Sequence, residues 1–223
     1  MSYILSIITF LPLLGALIIG LFVQGSDSQS SENAKRVSLV TSIIVFLLSL
    51  VMFSEFDTTS SDFQFIEEFL WLGFFNYKLG VDGISVILVL LTTGMMPIVF
   101  LSSWTTNKRV KEYLISFLIL ETLMVGVFVS LDILLFYVFF EAGLIPMFLI
   151  IGIWGGKERV FASFKFFLYT LLGSILMLIA MIVMWDISGT TDMTKLLKYD
   201  FESEPFYMPV SYTHLTLPTI LPV

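Results

Sequence analysis

Long apolar runs, each close to the length needed to cross a bilayer, dominate the chain and alternate with short polar segments. A spanning helix needs roughly 20 apolar residues to traverse a hydrocarbon core of about 30 Å. Runs of this kind cover residues 3–23, 37–54, 84–104, 113–131, 133–154 and 160–185. The first three carry no charged side chain, whereas the fourth, fifth and sixth each carry one: Glu121, Glu141 and Lys165. The pattern predicts an all-α polytopic membrane protein of about six transmembrane helices, in which residues 1–210 form a single membrane domain and nothing forms a soluble one. No basic stretch precedes the first run and no A-x-A-like site follows Val23, so it reads as a retained span rather than a cleaved signal. Between the second and third runs, Phe63, Phe65, Phe69, Trp71, Phe74, Phe75 and Tyr77 crowd together. Aromatic rings settle at the headgroup level, so this segment is expected to lie at the outer membrane interface, with a partner-docking surface as the alternative.

Composition sharpens the picture. Of the 223 residues, 57% are hydrophobic and 13% charged, and the mean hydropathy is +0.98, well beyond what a soluble domain requires. Absence of cysteine excludes disulfides and thiolate-held zinc or iron–sulfur centres. The single histidine, His214, lies in the C-terminal tail, so a histidine-ligated haem is not expected either.

Successive spans place alternate loops on the same side, which sorts the basic residues. Lys35, Arg36, Lys108, Arg109, Lys111, Lys157 and Arg159 fall on one side, and Lys78, Lys195 and Lys198 on the other. This bias places the first set in the cytoplasm and the N-terminus outside, as expected for a multi-pass protein of a bacterial inner membrane. The net charge of −7 arises mainly from residues 55–82 and 186–204 on the outer side, which gives no support to nucleic-acid binding. The lipid bilayer is the expected partner.

The intramembrane charges are the candidate chemistry. A charged side chain at the bilayer centre costs about 2.5–3.5 kcal/mol on insertion scales and persists only with a partner or water. At 1.5 Å per residue, Glu121 lies about 13 Å from the cytoplasmic end of its helix, Glu141 about 18–20 Å and Lys165 roughly 8–13 Å. The short connection at 155–160 makes spans five and six neighbours and allows a Glu141–Lys165 contact. Burial and proximity shift such groups in opposite directions, so a pair can exchange a proton when a neighbour moves. Two readings follow: a proton relay, or fixed ion pairs that lock helices together. Pro146 removes the donor for the Ala142 carbonyl and predicts a bend or local hydration beside Glu141. Proline is also tolerated in membrane helices for packing alone, as Pro12 and Pro97 would illustrate. Gly152, Gly155 and Gly156 read as a tight turn, because no Walker-type Lys-Ser/Thr follows, and Gly173 and Ser174 as helix-packing positions. No internal repeat is legible.

Three segments carry a resemblance: Leu79-Gly80-Val81-Asp82-Gly83-Ile84-Ser85, then Phe136 through Met147 with Glu141 and Pro146, then Gly152-Ile153-Trp154-Gly155-Gly156. With Lys165-Phe166-Phe167-Leu168-Tyr169-Thr170, they resemble the chain M family of proton-translocating NADH:quinone oxidoreductase, chain 4 of mitochondrial complex I. The likeness covers roughly residues 1–210. It implies the N-terminal part of an antiporter-like subunit of about fourteen helices built from inverted repeats. It also implies that Glu141 pairs with a lysine on a seventh helix in coupled proton movement, that Glu121 and Lys165 fall on a central hydrophilic axis, and that Asp82 is structural.

From this likeness, the expected function is proton translocation coupled to quinone reduction, as one translocase subunit among other membrane subunits of complex I. NADH, FMN, iron–sulfur and quinone chemistry would reside in partner subunits, with no redox centre in this chain. The alternatives are a subunit of a multisubunit cation/proton antiporter or of a membrane-bound hydrogenase, and a non-conducting structural subunit. Residues 211–223 do not resemble the family's next helix; they look like a translated adaptor remnant, so a non-native tail and an inactive fragment are expected. His214 is accordingly not read as a ligand or proton carrier.

Overall fold

The structure, a computed structural model, describes residues 3–22, 28–60, 62–71, 75–106, 108–199 and 201. The tail at 211–223, with His214, and the aromatic Phe74 lie outside the described residues. Among the described residues six long helices appear in the expected order: α1 (Ile4–Phe22), α2 (Ser28–Glu55), α3 (Gly83–Ser102), α4 (Val110–Val129), α5 (Ile133–Trp154) and α6 (Arg159–Ser188). All six are long and apolar enough to cross a membrane. Short α7 (Met193–Leu196) follows α6.

The helices start and stop where local chemistry dictates. Asp82 accepts from the Ser85 amide at 2.7 Å and caps α3. Asp132 accepts from the amides of Leu134 and Leu135 at 2.9 and 3.1 Å and caps α5. These bonds satisfy amides that have no carbonyl partner in the first turn of a helix. Gly189, in the left-handed region at φ +69°, closes α6 by donating its N–H to the Trp185 carbonyl. Two helices outrun their apolar segments. α2 begins at Ser28 rather than near Val37, because 28–36 continues as a polar turn carrying an i,i+4 pair, Glu32 with Arg36. α6 has 30 residues, about 45 Å of helix, and extends past the hydrocarbon thickness.

Among otherwise mainly helical described residues, the aromatic segment folds as an antiparallel hairpin, β1 (Gln64–Trp71) with β2 (Phe75–Val81). A register shift between Gln64 and Glu67, with Phe65 at φ +53°, bulges the first strand. Leu79 and Val81 bury fully in the core, while Phe69 and Tyr77 pair across the strands at 6.0 Å. The near-continuous aromatic and aliphatic character of 63–77 hid the period-two alternation that marks a strand.

Glu67 is the residue through which the hairpin holds α1. Its carboxylate accepts from the Leu5 amide at 2.8 Å, the Ser6 amide at 3.1 Å and the Ser6 hydroxyl, capping the first turn of α1. Tyr77 shares the Ser6 hydroxyl at 2.9 Å. Burial, reinforced by the Glu67 charge, raises the Tyr77 phenol above its ordinary value despite that bond. Replacing Glu67 by Ala is expected to cost about 1–2 kcal/mol, the worth of a helix cap, read as a lowered thermal midpoint in detergent. An unchanged midpoint would show that water caps α1 equally well.

α4 is the central helix, packed against α1, α2, α3, α5 and β2, whereas α6 packs mainly on α5. α4 meets α5 at Gly126, where a Cβ would lie 2.5 Å from the Phe139 ring, so only glycine admits that approach. The outward faces of the helices are apolar, as in the α3 stripe Ile84, Ile87, Leu91, Met95 and Ile98. That is the pattern of a chain solvated by lipid.

Candidate functional site

Glu141 lies midway along α5 and is half-buried. One turn before it, Tyr137 brings its hydroxyl within interaction range of both Glu141 and Ser174 of α6. Glu141 Oε2 is buried and has no hydrogen-bond partner among the described residues. Pro146, buried inside α5, leaves the Ala142 carbonyl without its helical donor. A carboxyl, a phenol, a hydroxyl and a freed carbonyl thus sit at one level between α5 and α6. This is the donor and acceptor set that positions water or passes a proton.

Glu121 lies in α4 and is fully buried, with neither carboxylate oxygen partnered among the described residues. Lys165 lies near the start of α6 and is exposed. The Glu141–Lys165 contact that the short connection allows is not made. Phe148 packs on Phe164 and Phe167 at 5.3 and 5.5 Å, and Gly152 faces Ser163, which sets Lys165 level with 148–152. At 1.5 Å per residue, that offset puts Lys165 about 10–16 Å along the bundle from Glu141. Sequence adjacency made the helices neighbours but did not fix their axial level.

Sequence reasoning missed a second buried polar cluster, where β2, the α4–α5 turn and the segment after α6 run side by side. Leu131 donates its N–H to the Lys78 carbonyl, Met193 to that of Leu131 and Ile133 to that of Thr191. Lys78 donates to Asp192 Oδ2 at 2.7 Å and lies 3.3 Å from Thr194 Oγ1. Fully buried Asp132 also accepts from the Thr191 hydroxyl. Burial pushes the Asp192 carboxyl up, but hydrogen bonds from Lys78 and Thr194 outweigh it and hold the group below the usual carboxylate range. The sequence signals available were weak: Asp132 and Asp192 each precede a helix as a cap residue does, and nothing local marks Lys78.

At the other end of the bundle, cations cap helices. Lys35 donates to the Trp104 carbonyl, Lys108 to the Ile153 carbonyl at 2.8 Å, and Trp154 Nε1 back to the Lys108 carbonyl at 2.7 Å. Cations at helix C-termini oppose the negative end of the dipole.

Residues 130–220 match the family described as NADH:quinone oxidoreductase/Mrp antiporter, TM. The chain is 55% identical to NADH-quinone oxidoreductase subunit M of Rhodobacter capsulatus over 201 residues, covering 90% of this chain and 39% of the relative. It is 51% identical to NADH-ubiquinone oxidoreductase chain 4 of Mycosarcoma maydis over 190 residues, covering 84% and 39%. In structure it resembles respiratory complex I from Thermus thermophilus, with a TM-score of 0.72 at 26% identity over 87% of this chain and 39% of that one. An archaeal membrane-bound sulfane sulfur reductase shares the fold, with a TM-score of 0.79 at 17% identity over 96% and 43%. The chain thus spans about two-fifths of the length of these relatives. With its six apolar helices, its carboxyl-bearing α5 and this degree of identity, the chain belongs to the NADH-quinone oxidoreductase subunit M/chain 4 family of antiporter-like membrane subunits.

Proposed function

We propose that the chain serves proton translocation in the membrane part of an NADH:quinone oxidoreductase, with Glu141 as its proton-carrying group. The observation that carries this reading is the Glu141 level. A half-buried carboxyl lies beside a phenol that reaches a hydroxyl of α6, near a carbonyl freed by Pro146. Lipid offers such groups no partners, so water or a mobile proton is what they can serve. Glu121 and Lys165 are assigned to the same transport process at other levels of the bundle, Lys165 toward a partner beyond α6. Electron transfer from NADH through FMN and iron–sulfur centres to quinone belongs to partner subunits. The basic residues on helix ends at one side support a bacterial inner membrane with the N-terminus outside.

A test is a chimaera in which residues 1–201 replace the corresponding segment of the Rhodobacter capsulatus subunit within its assembled complex. NADH oxidation is expected to drive uncoupler-sensitive proton uptake into vesicles. An assembled complex that oxidises NADH without proton uptake would remove the reading. NADH-independent cation/proton exchange would replace it with the antiporter alternative, which the family description also encompasses.

A further inference from the structure

The first four helices bury a layer of oxygen atoms between two apolar zones. One zone joins Leu5, Ile8, Val45, Val89 and Val125; the other joins Ala16, Ile19, Met96, Leu114 and Leu118. Between them lie polar positions in three of the helices: Thr9 in α1, Thr93 in α3, and Glu121 with Thr122 in α4. Thr93 is satisfied, sharing a hydrogen bond with Ser49 of α2 at 2.7 Å and donating to the Val89 carbonyl at 2.9 Å. Thr9, Thr122 and both oxygens of Glu121 are buried and have no partner among the described residues.

These three depart from the habit of their neighbours. Thr92, Ser116 and Ser130 each return their hydroxyl to the carbonyl four residues back, which is how a helix hydroxyl is satisfied without water. Two backbone groups at the same level also lose a partner. Pro12 inside α1 deprives the Ile8 carbonyl of its helical donor, and Pro97 inside α3 does the same to Thr93. A carboxyl, two hydroxyls and two freed carbonyls in one layer are the partners that buried water takes. A locking role for Glu121 would require a cation or a donor, and none of the described residues provides one.

We propose that Glu121, Thr9 and Thr122 bind internal water, and that Glu121 exchanges a proton with it, forming a second protonatable site among α1–α4. In the step, the carboxyl O–H bond breaks as an O–H bond forms on water, leaving carboxylate and hydronium; the reverse step reloads the carboxyl. The inference rests on the proton-transfer reading above for its part in transport, but the water site itself does not.

The test is infrared difference spectroscopy of the assembled chimaera in H₂O and D₂O. A carboxylic C=O band that shifts in D₂O is expected, present in Glu141→Gln and absent in Glu121→Gln. The paired change Thr9→Val and Thr122→Val keeps the carboxyl but removes its water ligands, and should slow the deuterium shift severalfold. No such band lost in an assembled Glu121→Gln complex overturns the proposal. So does unaltered exchange in the Thr9→Val/Thr122→Val variant, which also decides the matter should Glu121→Gln fail to assemble. A band that behaves as expected in a complex that does not pump would sink the transport reading alone. Normal pumping without the band would sink this inference alone.

Discussion

Lys78→Met is expected to destabilise the protein by about 3–5 kcal/mol, the usual cost of leaving one partner of a buried ion pair uncompensated. Lys78 and Asp192 are 8% and 3% exposed, so water cannot replace the lost ammonium. Glu68, at 3.9 Å from Lys78 Nζ, is too far to share the load. Adding Asp192→Leu should recover most of the loss, because an apolar pair of similar volume often does as well as a buried ion pair. Thermal unfolding in detergent measures both. Equal destabilisation by the single and double changes would mean that the pair contributes packing and not charge.

The same pair predicts a pH dependence. Asp192 is held below its ordinary value of 3.8, so the folded state binds fewer protons there than the unfolded one. Its stabilisation is therefore fully present above the ordinary carboxylate value and is lost as pH falls through the depressed folded value. In Lys78→Met the slope in that acidic window should flatten. A slope as steep as in the parent would assign the acid sensitivity to another carboxylate.

Glu141→Gln is expected to leave assembly and NADH oxidation in place while slowing proton transfer through the subunit by about a hundredfold or more, the lower range of what a positioned acid–base group contributes. Glutamine keeps the shape of the side chain and its capacity to hydrogen-bond the Tyr137 hydroxyl, so helix packing has no reason to change. What it cannot do is release and regain a proton. Protons pumped per NADH oxidised, measured in vesicles of the chimaera, separate the two roles. An intact complex pumping normally would take Glu141 out of the path. A complex that fails to assemble would favour a fixed structural role.

Gly126 shows why the neighbourhood of Glu141 is so closely set. The Phe139 ring occupies the space a side chain at 126 would need, two residues before the carboxyl. The Asp132 cap and the Thr191 bond then fix the start of α5. Rotation of α5 about its axis, which would turn Tyr137 away from Ser174 and carry Glu141 with it, is opposed at both places.

The six spans were legible because lipid demands uninterrupted apolar runs, and such runs need no tertiary information to be recognised. The presence of carboxyls and a lysine within the spans was equally plain from residue order, whereas Asp82 read only as structural and the fold shows it to be the cap of α3. The hairpin was not legible, since a strand whose two faces both carry aromatic and aliphatic side chains leaves no alternation to read. Nor was the Lys78–Asp192 pair, whose members stand 114 residues apart. A short loop told which helices adjoin but not how far one slides past the other. Between α5 and α6 that slide is set by where Gly152 meets Ser163 and Phe148 packs on Phe164 and Phe167. It separates Lys165 from Glu141, and the packing of α1–α4 leaves Glu121, Thr9 and Thr122 without partners among the described residues, because side-chain volume rather than residue order sets the level at which neighbouring helices meet.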